Sequence, residues 1–234
     1  MILSHAHKFI FIKTSKTAGT SIELALEPLC GPNDVLTTHW EQKNGNGHAN
    51  GNGYVARNYR GRFIPSLNLE RPLRQLSRDL HNLREGRKYF NHMSAFEVRA
   101  RAGADIFSRY FKFCFERNPW DKAVSTFFWE KDRRPGVPQD FETYVRTRKI
   151  PSRFDLYTLG GKLAVDFVGR YETLEEDFAR ALKQAGIANA PALPRAKSQF
   201  RPQKGHYRDY YSDESRAIIA RRFAREIEMF GYTF

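Results

Sequence analysis

Sixteen residues near the start of the chain, Lys8 to Glu23, limit its fold more than any other segment; they read KFIFIKTSKTAGTSIE. Phe9, Ile10, Phe11 and Ile12 form a short continuous apolar run, the mark of a strand covered on both faces. Gly19 permits the backbone to come close to a ligand, and a helix starting near Thr20 points free N–H groups at it. Lys16 adds a mobile positive charge, while Thr17, Thr20 and Ser21 add hydroxyl donors. A strand entering a helix through such a turn has the layout of a phosphate cradle, with an anion held at residues 13–21. The turn does not fit the Walker pattern, in which the Lys follows the second Gly of the loop and reaches the terminal phosphates. An ordinary ATPase or GTPase is therefore disfavoured.

A second segment has the same plan. Lys112-Phe113-Cys114-Phe115 reads as another buried strand, followed by Glu116-Arg117-Asn118-Pro119-Trp120-Asp121-Lys122-Ala123-Val124-Ser125. Asn118 is a good N-cap and Pro119 suits the first helical position, so a helix is predicted to begin here. Arg117 then stands at the end of a strand, where ligands gather in open α/β sheets. Ser125, two turns into the helix, could meet the same phosphate that Arg117 grips.

In this order, each after its own strand, the two motifs resemble those of the sulfotransferases that use 3′-phosphoadenosine 5′-phosphosulfate (PAPS). The match is closest to the branch of carbohydrate O-sulfotransferases and their bacterial relatives, and it runs from residue 8 to Phe234. The resemblance implies a single catalytic domain over residues 1–234. Its fold would be three-layer α/β, with a central parallel sheet and a sulfotransferase/P-loop-like strand-loop-helix. It further implies that Lys13, Lys16, Thr17, Ala18, Gly19, Thr20 and Ser21 hold the 5′-phosphosulfate, and that Arg117 and Ser125 hold the 3′-phosphate. Lys16 would neutralise the leaving phosphate. Sulfuryl transfer builds negative charge on the bridging and terminal oxygens, so positioning and electrostatic stabilisation are the main tasks of such a protein. This scheme requires no metal, and the sequence shows no convincing metal-ligand cluster.

An acceptor hydroxyl must also lose a proton. The family often carries a catalytic His in a segment similar to His92-Met93-Ser94-Ala95, between the two phosphate motifs, and the resemblance assigns the base to His92. Ser94 is placed to cap a helix containing Phe96 and Val98, leaving His92 on the preceding loop. An imidazole titrates near neutrality and is the usual proton acceptor. Near the C-terminus the family often closes a basic Gly-containing loop over the nucleotide. Lys204 and Gly205 match that element in part, and a Tyr of the 207–211 segment could stack on adenine.

Other landmarks extend the alternation of strand and helix that argues for a parallel sheet. Asp166 to Glu172 reads as a third strand. Thr173-Leu174-Glu175-Glu176 reads as a capping box opening a helix with Leu174, Phe178 and Leu182 on one face, ended by Gly186. Ser212 caps a last helix whose buried stripe is Ile219, Phe223 and Ile227. Between the phosphate motifs, residues 41–56 are rich in Gly and Asn and are expected to form a mobile insertion, a lid over the acceptor. A helix carrying Leu73, Leu76, Leu80 and Leu83 follows.

Lys and Arg number 39 against 26 Asp and Glu, a formal net charge of +13. That excess favours polyanions, whether a nucleotide donor, an acidic glycan or nucleic acid; the resemblance implies the nucleotide donor and a hydroxyl-bearing acceptor, a glycan, with no nucleic acid. Of the two cysteines, Cys114 falls in a buried strand, so a structural disulfide is not expected. No apolar run reaches membrane-spanning length and no signal peptide precedes the first strand, which leads to the expectation of a cytoplasmic, bacterial enzyme. Two other classes remain open. A phosphate-loop kinase would use Mg²⁺ and a nucleoside triphosphate, and a non-enzymatic basic module would bind polyanions with steep salt dependence.

Overall fold

The computed structural model describes residues 1–38, 54–62, 73–194 and 205–234. At its centre is a sheet of five strands: β1 (Ile2–Ser4), β2 (Phe9–Phe11), β3 (Val35–Leu36), β4 (Phe111–Glu116) and β7 (Phe167–Arg170). A small separate hairpin, β5 (Thr158–Leu159) with β6 (Lys162–Leu163), precedes the last of these. The spatial order is β3-β1-β2-β4-β7. β2 lies parallel to β4, with Phe9 opposite Phe111 and Phe11 opposite Phe113, and β4 lies parallel to β7, with Phe113 opposite Phe167. β1 runs antiparallel to both β2 and β3. Four strands thus share one direction, and β1 corrects the expectation of a wholly parallel sheet. Only residues 5–8 join β1 to β2, too few for the crossover a parallel pair needs, so this neighbour must fold back as a hairpin.

Continuous apolar strands imply cover on both faces, and the core has that form. Phe9 and Phe11 of β2, with Phe113 and Phe115 of β4, face one hydrophobic cluster; Ile10, Ile12 and Cys114 face another. The phenylalanine side meets α1 (Gly19–Leu26) through Ile22 and Leu26, and α7 (Leu174–Gln184) through Phe178 and Leu182. The opposite side meets α3 (Ala95–Ala102) through Ala95 and Val98, and α4 (Ala104–Arg109) through Phe107. Fully buried Phe side chains contribute about 2 kcal/mol each, which gives this double-sided packing its weight. Gly169 of β7 is required by the same packing, since a Cβ there would stand 2.7 Å from Cδ1 of Phe115.

A third cluster lies under α5 (Pro119–Arg133), α6 (Phe141–Thr147) and α8 (Asp213–Arg222), joining Trp120, Phe127, Tyr144, Ile219 and Phe223. Leu73–Arg84 is helical, as its spacing predicts, and is α2; Leu80 and Leu83 are exposed. The expected Glu41–Gly53 part of the Gly/Asn-rich insertion lies outside the described residues. Tyr54, just after it, is buried and donates its hydroxyl to the Thr37 carbonyl (3.0 Å).

Two local readings are corrected. The Thr173 hydroxyl makes no capping bond to the backbone of α7; it donates to Asp177 (3.1 Å), because a 3₁₀ turn at Tyr171–Thr173 runs straight into the helix. The last helix is two: α8 ends at Arg222, and α9 (Ala224–Phe230) starts after Phe223, whose buried ring occupies the bend.

Candidate active site

The chain leaving β2 remains laced to β4. Ile12 N–H donates to the Phe113 carbonyl (2.9 Å), and the Thr14 hydroxyl donates to the Phe115 carbonyl. The hydroxyls of Thr14 and Thr17 share a hydrogen bond of 2.8 Å. Beyond them Lys16 (φ 65°) and Ala18 (φ 56°) are both left-handed, at a cost of about 1–2 kcal/mol each for a non-glycine residue. Such curled backbone forms the concavities that hold anions. Ala18 is the N-cap residue of α1 and contributes no capping side chain, leaving the end of that helix suited to an external acceptor. Thr20 and Ser21, in its first turn, are buried.

Gly19 meets a side chain as well as forming the loop. A Cβ on Gly19 would lie 2.7 Å from Cγ of Lys13, so the glycine makes room for the Lys13 stem. That stem delivers its ammonium to Glu23 Oε2 (2.5 Å), with Thr20 Oγ1 at 3.5 Å. Glu23 is wholly buried on α1 and also pairs with the amino terminus of Met1. An acid inside the otherwise apolar run Ile22-Glu23-Leu24-Ala25-Leu26 is the sequence signal that could have marked it, because an acid buried on a helix needs a cationic partner.

Arg117 follows β4 and is 5% exposed. Its Nη1 donates to the Lys16 carbonyl (3.1 Å), its Nε donates to Asp121 Oδ2 (2.8 Å), and its guanidinium stacks over Tyr171 with the ring centroid at 4.0 Å. Asn118 caps α5 through Trp120 N–H (3.1 Å), as predicted. Glu116 secures the start of this segment. It accepts from Arg117 N–H (2.9 Å), from Lys122 Nζ (2.6 Å) and from the Tyr157 hydroxyl (2.9 Å). The two sequence motifs are thus in direct contact. Ser125 is half-buried on α5, and Trp129 follows it by one turn on the same face. Lys16 Nζ lies 5.5 Å from the centroid of the Trp129 ring. Tyr171 and Trp129 had no site role in the sequence reading, because their contacts join segments far apart in the chain, whereas Asp121 stands only four residues from its partner Arg117.

His92 sits immediately before α3. Ser94 caps that helix in a full capping box with Glu97, as the sequence predicts. The backbone of His92 is left-handed (φ 57°), and its Nδ1 lies 3.0 Å from the Lys13 carbonyl. A carbonyl only accepts, so Nδ1 carries the proton and Nε2 keeps its lone pair. Burial, with the ammonium groups of Lys13 and the amino terminus adding to it, pushes the imidazole pKa down to about 3. His92 is therefore neutral at pH 7.

Lys204 lies outside the described residues. Gly205 is exposed with φ 95°, and a Cβ on it would stand 2.9 Å from Asp209 Oδ2. Of the tyrosines in that segment, Tyr210 packs edge-on to Phe128 and Tyr211 to Phe141 (centroids 5.4 and 4.8 Å), while the Tyr211 hydroxyl donates to the Trp120 carbonyl (2.8 Å). Both hold the third core cluster together. Among the described residues, no group of three or more His, Cys, Asp or Glu side chains could hold a metal ion, and no helix is long and apolar enough to cross a membrane.

Comparison with known proteins adds the following. An uncharacterized protein of Archaeoglobus fulgidus is 39% identical over 100 residues, which cover 41% of this chain and 83% of that relative. No solved structure gives a significant match. Residues 160–233, from the turn of the β5–β6 hairpin through α9, match the model of a family described as the sulfotransferase family. The match covers about a third of the chain, and the mainly parallel sheet between helices is compatible with a sulfotransferase fold.

Proposed function

We propose that the protein is a PAPS-dependent O-sulfotransferase acting on an acceptor hydroxyl, that of a carbohydrate. The observation that carries this reading is the hydrogen bond from Arg117 to the Lys16 carbonyl, which draws two anion-binding motifs into one site after adjacent parallel strands. A donor with phosphate at both the 3′ and 5′ positions needs such a pair. The left-handed loop backbone, the uncapped start of α1 and the Arg117 guanidinium bonded to that loop suit its charge.

PAPS supplies an activated sulfuryl group on its 5′-phosphate. Residues 13–21 bind that end, and Arg117 with Ser125 receives the 3′-phosphate. As the sulfur–oxygen bond to the phosphate breaks and a bond to the acceptor oxygen forms, Lys16 offsets the charge gathering on the departing phosphate. His92 Nε2 takes the acceptor proton, and Nδ1 stays bonded to the Lys13 carbonyl, which keeps the ring from turning. Lys204 and Gly205 close over the nucleotide in this scheme.

Calorimetric titration with 3′,5′-bisphosphoadenosine, adenosine 5′-monophosphate and Mg-ATP tests the reading. Selective binding of the bisphosphate is expected. Preference for Mg-ATP, or equal binding of the two adenylates, would overturn it.

A further inference from the structure

The two motifs offer an anion different things. α1 begins without a capping side chain, whereas the start of α5 is already engaged. Arg117 N–H donates to Glu116 Oε1 (2.9 Å), Asn118 N–H to Glu172 Oε1 (2.7 Å) and Trp120 N–H to the Asn118 side chain (3.1 Å). Pro119, between the last two, has no N–H to give. Two of these acceptors are carboxylates, which repel a further anion from this stretch of backbone. What the second motif holds out is therefore the Arg117 guanidinium, and its placement is closely set. Nε donates to Asp121 Oδ2 (2.8 Å), and Nη2 lies 2.7 Å from the same oxygen. Nη1 donates to the Lys16 carbonyl (3.1 Å), and Tyr171 covers one face with its ring centroid at 4.0 Å. A guanidinium has five N–H groups in one plane. With the Nε edge turned to Asp121, those that remain belong to the two Nη nitrogens at the tip of the side chain.

We infer that Asp121 is the positioning residue for recognition of the 3′-phosphate: it holds Arg117 by one edge, so that the tip of the guanidinium meets the phosphate. Asp121 stands in the first turn of α5, and side chains on a helix lean toward its N-terminus, which carries the carboxylate back to Arg117. A negative charge this close to the phosphate subsite works against an anionic ligand. Orientation outweighs that repulsion. A long arginine without a partner along its edge loses side-chain freedom when it grips a phosphate, and Asp121 removes that loss before the ligand arrives. This inference rests on the sulfotransferase reading and adds to it a residue that acts through Arg117.

Calorimetry on Asp121→Asn separates the two effects, because they have opposite signs. A carboxylate that only repels the ligand would, once neutralised, leave 3′,5′-bisphosphoadenosine bound more tightly. Loss of a positioning residue should instead weaken the bisphosphate roughly tenfold, the effect of one charge-assisted hydrogen bond, and leave adenosine 5′-monophosphate within about twofold. In an Arg117→Lys background, Asp121→Asn should change the ratio of the two affinities no further, since the group it orients is already gone. A second measurement uses the unaltered protein and stands even where the variant does not fold. The ¹⁵Nε–H signal of Arg117 should keep its position as the bisphosphate is added, because Asp121 retains that edge. Unchanged or tighter bisphosphate binding by Asp121→Asn, a further fall in the ratio in the Arg117→Lys background, or a displaced Nε–H signal would each overturn the inference. Failure of the unaltered protein to prefer the bisphosphate over the monophosphate would instead overturn the sulfotransferase reading beneath it.

Discussion

His92 Nδ1 and the Lys13 carbonyl, 79 residues apart in the chain, meet at 3.0 Å, and this contact fixes which ring nitrogen holds a proton. Lys13 sends its side chain the other way, to Glu23. One residue thus serves the imidazole with its backbone and α1 with its ammonium.

The first prediction concerns acid. His92 is held neutral down to about pH 3 in the folded protein, whereas an unfolded His protonates near 6.5. Between those values the unfolded chain binds the extra proton, so stability is full above 6.5 and declines as pH falls through the window to about 3. Urea midpoints at pH 7, 5.5 and 4.5 should fall more steeply for the unaltered protein than for His92→Gln. Parallel profiles would show that the imidazole is not held neutral by its surroundings.

Turnover should separate His92 from Lys16. His92→Ala should keep its affinity for 3′,5′-bisphosphoadenosine and lose most of kcat, about a hundredfold or more. Lys16→Ala should weaken the bisphosphate and lose about a hundred- to a thousandfold in kcat. A His92 variant with a near-normal rate would remove the base from the scheme.

Arg117 ties the loop to Asp121 and, on the proposed scheme, recognises the 3′-phosphate. In Arg117→Ala the Lys16 carbonyl loses a donor and Asp121 loses its ion pair, at a cost of about 2 kcal/mol or more. Arg117→Lys lacks the planar fork needed to satisfy both partners. Both variants should bind the bisphosphate and adenosine 5′-monophosphate more equally than the unaltered protein does. An unchanged ratio of the two affinities would confine Arg117 to a structural role.

Gly19→Ala gives a test that does not rely on activity. The added methyl displaces the Lys13 stem and with it the Glu23 ion pair, and overpacking of this kind costs about 1–3 kcal/mol. Thermal unfolding should shift down, and the ¹⁵N signals of the His92 ring should change as Lys13 moves. A variant with unchanged ring signals would mean that Lys13 does not govern the imidazole.

The local chemistry of the fold was legible where it was self-contained. Unbroken apolar runs marked β2 and β4, and Ser94, Asn118 and Ser212 capped the helices they were expected to cap. What escaped depends on distant segments. Ile2–Ser4 is too short to announce itself, yet it fills the sheet between β2 and β3. The bend at Phe223 follows from burying that ring against α5, which helical spacing alone does not show. In the site, the motif residues were found from their own pattern. Gly19 also makes room for Lys13, which its place in the motif does not show, and Tyr171 and Trp129 gain meaning only when distant segments meet at Arg117 and at the loop.

The bond from Arg117 to Lys16 also has a consequence for how the molecule is made. It joins residues 101 positions apart, so the proposed donor site is complete only after a loop of that length has closed. Closing so long a loop is slow relative to forming helices, and on the proposed scheme neither half holds the nucleotide by itself. During refolding, affinity for the bisphosphate should therefore return after helical structure does, making nucleotide binding a reporter of completed folding.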